Sequence, residues 1–228
     1  MRGGRYTHSK WNLSGAAMLD AFVGGWAQES LLSAEVLGSL RDLNHRFLDL
    51  AAARGGAWTP PGAGRALGLA ARVGPLSAAQ RAQAAACPYA LFDLRFQDEA
   101  HWRSRLQNLQ SWRVADETAG ADSVGKDTLD FVRLALFYTW HVASNATLKA
   151  QLLLGMNAAI ATELGRINVN HLPSLAASEA KHLSARWSDC TVFWNRLTGA
   201  ASQDDGAALR RVQLYGLQLA AAARFPAP

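Results

Sequence analysis

The chain is short of the residues that build sheet. Ile and Val together number 12 of 228, against 44 Ala and 32 Leu. Ala and Leu are strong helix formers, so the expected fold class is all-α, a multi-helix bundle. Cysteine is scarce as well. Cys87 and Cys190 stand 103 positions apart, which excludes a disulfide framework and a zinc knuckle and predicts two free thiols. No run approaches the roughly 18 apolar residues of a membrane span. The richest, Phe131 to Val142, is short and is interrupted by Arg133. The first ten residues are charged and lead into no apolar leader with a small-residue cleavage site. No membrane association and a reducing cytoplasm are therefore expected.

A block of one charge is missing too. The net charge is +5, spread as 12 Lys/Arg against 8 Asp/Glu in residues 1–110 and 11 against 10 in residues 111–228. That distribution alone points to a soluble surface more than to nucleic acid. Catalytic signatures are absent: there is no Walker loop, dinucleotide fingerprint, zincin helix or nucleophile elbow. Glu99 and His101 stand two apart, which on a helix turns them to different sides, so they read as two solvated groups. The six histidines (His8, His45, His101, His141, His171 and His182) are read without metal-ligand spacing, and His141 as a hydrogen-bonded core residue. Cys87, next to Pro88, is read as buried and inert. No catalytic residue, metal site or cofactor is expected, and the chain is not read as an enzyme.

What is present is helical periodicity. Leu31, Leu32, Val36, Leu40, Leu43, Phe47 and Leu50 mark one face of a helix that stops at Arg54-Gly55-Gly56. A short helix to Val73 ends at Gly74-Pro75, and Ser77 caps Ala78 to Ala86. Pro88 opens a helix carrying Leu91, Phe92 and Leu94, and Asp98 caps the next, with Trp102, Leu106 and Leu109. The polar, Gly-containing residues 114–126 are a linker, dividing an N-terminal helical region (1–113) from a C-terminal one (127–228). Asp127 caps a helix to Ser144. Its Phe131, Leu134, Phe137, Tyr138 and Trp140 cover nearly every side, so it is expected to be buried all round or at a dimer or partner interface. Ser188 and Asp204-Asp205 open the last two helices.

Residues 146–178 have the pattern of a helix-turn-helix: helix to Leu154, tight turn at Gly155-Met156-Asn157, short helix, break at 167–170, short helix. Leu154-Gly155-Met156, Ile160-Ala161 with Leu164-Gly165, Leu172 to Leu175-Ala176 and Arg186-Trp187 together resemble the bacterial flagellar transcriptional activator subunit FlhD, over about residues 137–187. The resemblance implies an all-α chain that forms a homodimer and acts with a zinc-binding partner subunit in transcription regulation at promoter DNA. Two cysteines cannot supply that partner's four-cysteine zinc site, so the chain is no fusion of both. DNA contacts are then expected from Arg166, Asn168, Asn170, His171, Lys181 and Arg186, with the cations on phosphates and Asn on adenine edges. Two other readings stand beside this one. The first is a protein–protein scaffold without DNA binding; the second is a helical enzyme or ligand carrier with a pocket lined by Phe137, Trp140 and His141.

Overall fold

A computed structural model describes residues 33–54, 68–109 and 124–224. The protein is all-α. The described elements are α1 (Ala34–Arg54), α2 (Leu69–Val73), α3 (Ala78–Ala84), β1 (Phe92–Asp93), α4 (Glu99–Gln107), α5 (Lys126–Asn145), α6 (Thr147–Leu154), α7 (Ala158–Leu164), α8 (Leu172–Glu179), β2 (Ser184–Ala185), α9 (Thr191–Ser202) and α10 (Gly206–Arg224). Single 3₁₀ turns at Val169–His171 and Ala180–His182 flank α8. The described residues from Ala34 onward belong to one compact unit.

The apolar spacing of α1 turns Leu40, Leu43, Phe47, Leu48 and Leu50 inward, against α2, α3 and α5. Helix α5 in turn packs on α6, α7 and α8, while α9 packs on α2, α3 and α10. Residues from both sides of the expected 114–126 linker therefore share one hydrophobic core. Most of that linker lies outside the described residues, as do Leu31 and Leu32.

Several starts fall where their chemistry places them. Ser77 and Gln80 form a reciprocal capping box on α3. The Asp98 carboxylate accepts from the His101 amide at 2.9 Å, and Asp205 accepts from Ala207 and Ala208. Such caps are each worth about 1 kcal/mol. Two others differ. Helix α5 starts at Lys126 behind Gly125, with Asp127 in its first turn, where a carboxylate favours the positive end of the dipole. Helix α9 starts at Thr191, past Ser188, with no side-chain cap.

The expected helix after Pro88 is also absent. Residues 85–98 run irregularly, and their polar backbone groups are taken up by other elements. Buried Asn44 donates to the carbonyls of Ala85 (3.2 Å) and Tyr89 (2.9 Å) and accepts from the Leu91 amide (2.8 Å). The Ala90 amide reaches Leu153 O, and Phe92–Asp93 pairs antiparallel with Ala185–Ser184. With its hydrogen bonds satisfied from outside, the segment has no need of its own helical ladder. It runs between α1 and the 155–157 turn.

Candidate functional site

The helix, tight turn and helix expected at 146–164 are present as α6, Gly155-Met156-Asn157 and α7. Gly155 caps α6 in the left-handed region at φ 71°, and Asn157 caps α7 by accepting from Ala159. Beyond the turn, Arg166, Asn168, Asn170 and Lys181 are exposed and His171 is half-buried. Asn168 is occupied in capping, accepting from the Asn170 amide at 2.9 Å. Arg186 departs from the expectation. Its side chain is buried, donates to Leu153 O at 3.2 Å and lies 4.5 Å over the Trp187 ring. A guanidinium held in the core cannot reach a phosphate. Helix α7 itself (Ala-Ala-Ile-Ala-Thr-Glu-Leu) bears no basic side chain.

Of the expected interface residues, three are used within the chain. Phe131 is buried beside Phe47 and Phe92; Tyr138 donates to Val36 O at 3.0 Å; the Trp140 indole N–H donates to Ile167 O at 3.0 Å. Leu134 and Phe137 are 45 % and 42 % exposed, and on α6 Leu148 and Leu152 are exposed to a similar degree. Helix α5 is thus covered on the side facing α1 and α8, and uncovered on a strip that Arg133 and His141 share. His141 is exposed, not a core residue, and with Phe137 it faces solvent.

The polar cluster with the most concentrated chemistry involves His101, which does not lie open to solvent. Asp98 fixes the start of α4 and so sets His101 and Arg105, one turn apart, against the C-terminal end of α8. There Glu179 is 0 % exposed. His101 Nε2 lies 2.7 Å from Glu179 Oε2, while Arg105 Nε and the Ser178 hydroxyl each lie 3.2 Å from Oε1. On the other edge of the ring an Arg95 guanidinium nitrogen is 3.4 Å from Nδ1. A guanidinium only donates, so Nδ1 accepts and Nε2–H donates to Glu179. His182, in the 3₁₀ turn after α8, packs edge-on to His101 with centroids 4.9 Å apart. Burial holds its imidazole below the usual 6.5; the Glu179 charge opposes this, and His101, Arg95 and Lys181 reinforce it.

One ring nitrogen from each histidine and one Glu179 oxygen lie within 4.8 Å of one another. The set was missed in the sequence because its two halves are 78 residues apart, and Glu179 to His182 is an i,i+3 step. A second histidine–carboxylate pair was missed as well: His45 and Asp49, one turn apart, at 3.7 Å.

Cys87 is buried, its thiol pushed up to about 12 by burial, and both cysteines are free. Between α9 and α10 lies an open cavity of about 380 Å³. Its arginines are engaged, Arg196 over the Tyr215 ring and Arg211 4.0 Å from Asp205. Among the described residues, no helix is long and apolar enough to cross a membrane. No protein-family model, curated protein or solved structure matches the chain, so the likeness to FlhD rests on the quoted motifs alone.

Proposed function

We propose that the protein is a cytoplasmic regulatory adaptor that self-associates and docks a partner subunit, with promoter DNA as a secondary contact. The observation that carries this reading is the exposed apolar strip of Leu134 and Phe137 on α5, with Leu148 and Leu152 on the next helix. Four large apolar side chains left in water on two consecutive helices mark a surface that gains from being covered, at roughly 25 cal/mol per Å². A second copy of the chain is the favoured cover, in keeping with the resemblance to a self-associating family.

Two free thiols, one of them buried and unreactive, fit a reducing compartment. DNA takes second place because the helix after the turn carries no cation and Arg186 is withdrawn. Arg166 and Lys181 remain as exposed phosphate contacts, enough for modest, salt-sensitive affinity.

Light scattering of the wild type and of a Leu134→Asp/Phe137→Asp variant at tens of micromolar tests the reading. A dimer that becomes a monomer with unchanged helical circular dichroism is the expected result. A wild type that is monomeric and captures no partner overturns it. Retention on DNA should fall, and its salt slope flatten by about two, in Arg166→Ala/Lys181→Ala. If retention is unchanged, the scaffold reading without DNA replaces this one.

A further inference from the structure

We propose that His101, Glu179 and His182 form a binding site for one divalent transition-metal ion of the zinc class, with a coordination position left open. The site shares no residue with the docking surface on α5 and α6, and it centres on Glu179. The carboxylate is fully buried and stands at the last residue of α8, the negative end of the helix dipole. A buried carboxylate at that end of a helix calls for cationic company. Arg105 and Ser178 lie against Oε1, and among the described residues Oε2 accepts from His101 Nε2–H.

The second observation is His182. Its imidazole stands beside this carboxylate, half-buried, and takes no hydrogen bond from the described residues; it packs on the edge of His101. Two imidazoles and a carboxylate are the donor set of an open zinc site, and the mixed nitrogen and oxygen donors disfavour magnesium and calcium, which take oxygen alone.

The geometry needs small adjustments. Tetrahedral ligand atoms with bonds of about 2.0–2.1 Å lie about 3.3 Å apart. The 2.7 Å contact between His101 and Glu179 must open slightly, and the widest gap, within 4.8 Å, must close. Both are side-chain torsions of order 1 Å. Coordination through His101 Nε2 requires its proton on Nδ1. That is a tautomer exchange with no net proton released, and it displaces the long Arg95 contact. Arg95 is partly exposed and already paired with Asp98, so it can turn away. His101 is 11 % exposed and His182 is half-buried, which leaves the fourth position toward solvent, for water or an exogenous ligand.

The test uses the full chain stripped with chelator and titrated calorimetrically with Zn²⁺, then with Co²⁺ to read the visible absorption of a tetrahedral site. One ion per chain is expected, with the melting temperature raised on loading. His182→Gln, at a half-buried position, should keep the fold by circular dichroism and weaken Zn²⁺ binding on the order of 100-fold. His171→Gln, a histidine on the other flank of α8, should bind as the wild type does. Absence of saturable one-to-one binding below about 100 μM overturns the site, and so does equal loss in His171→Gln or no loss in His182→Gln.

Discussion

Arg186 and Glu179 are both charges buried in an all-α core, seven residues apart, and their surroundings differ in kind. Around Arg186 the partners are fixed. The side chain donates to a main-chain carbonyl, its own amide and carbonyl are bonded to Leu91 O and the Trp194 indole, and the guanidinium fills the space a side chain at Gly155 would need. Burial lowers its pKa to about 10, with Asp93 and Tyr89 opposing the shift. Around Glu179 the hydrogen-bond partners are side chains, among them an imidazole with a second imidazole beside it, on an edge that reaches solvent. A charge locked among backbone groups holds a fold in one arrangement. A charge among imidazoles can exchange its partners, and that is the condition for a binding site.

The largest break in this comparison comes from Arg186→Met. The substitution keeps the volume of the stem, yet removes the bond to Leu153 O, the contact over Trp187 and the charge that eases the burial of the Asp93 carboxyl, together about 3 kcal/mol. Urea unfolding measures it. In an Asp93→Asn background the same substitution should cost clearly less, because the stranded charge is gone. Equal losses in both backgrounds would mean that the arginine acts through packing on Trp187 and the Gly155 turn alone.

The sequence made the helical elements legible because their signals are local. Ser77, Asp98 and Asp205 cap where their side chains predict, Gly155 turns where a positive φ is needed, and the apolar spacing of α1 faces the core. Three things depended on distant partners and were not legible. The stretch after Pro88 reads as a helix until Asn44, more than forty residues earlier, takes its carbonyls. Arg186 reads as a surface cation until Gly155 and Leu153 are seen to make a slot for it. His101 reads as solvated because Glu179 reaches it only through the fold.

A smaller effect is expected at the second charge. Glu179→Gln retains the shape and one acceptor, and the groups it abandons differ from Asp93. Arg105 is part-exposed and His182 is half-buried, so both can take water in place of the carboxylate. A loss of about 1–2 kcal/mol follows, well under that of Arg186→Met. If thermal or urea unfolding shows the two losses equal, the Glu179 cluster is as closed as the Arg186 one, and the contrast drawn between them fails.

The smallest effect is a slope with pH, and its sign tells whether the Arg186 charge outweighs the burial of Asp93. Burial raises the Asp93 carboxyl above 3.8, outweighing the Phe96 amide and the Arg186 charge, which both pull it down. A carboxyl raised on folding binds protons more readily in the folded state than in the unfolded chain. Between 3.8 and its folded value, stability from this group therefore falls as pH rises, by at most about 1.4 kcal/mol per pH unit. Asp93→Asn removes the dependence. The stability of the wild type relative to Asp93→Asn should accordingly increase as pH is lowered from neutrality toward 3.8, in parallel urea titrations. A relative stability that decreases instead would show that Arg186 more than repays the burial of Asp93. The region would then owe more to the attraction between these two charges than to the backbone groups that close around Arg186.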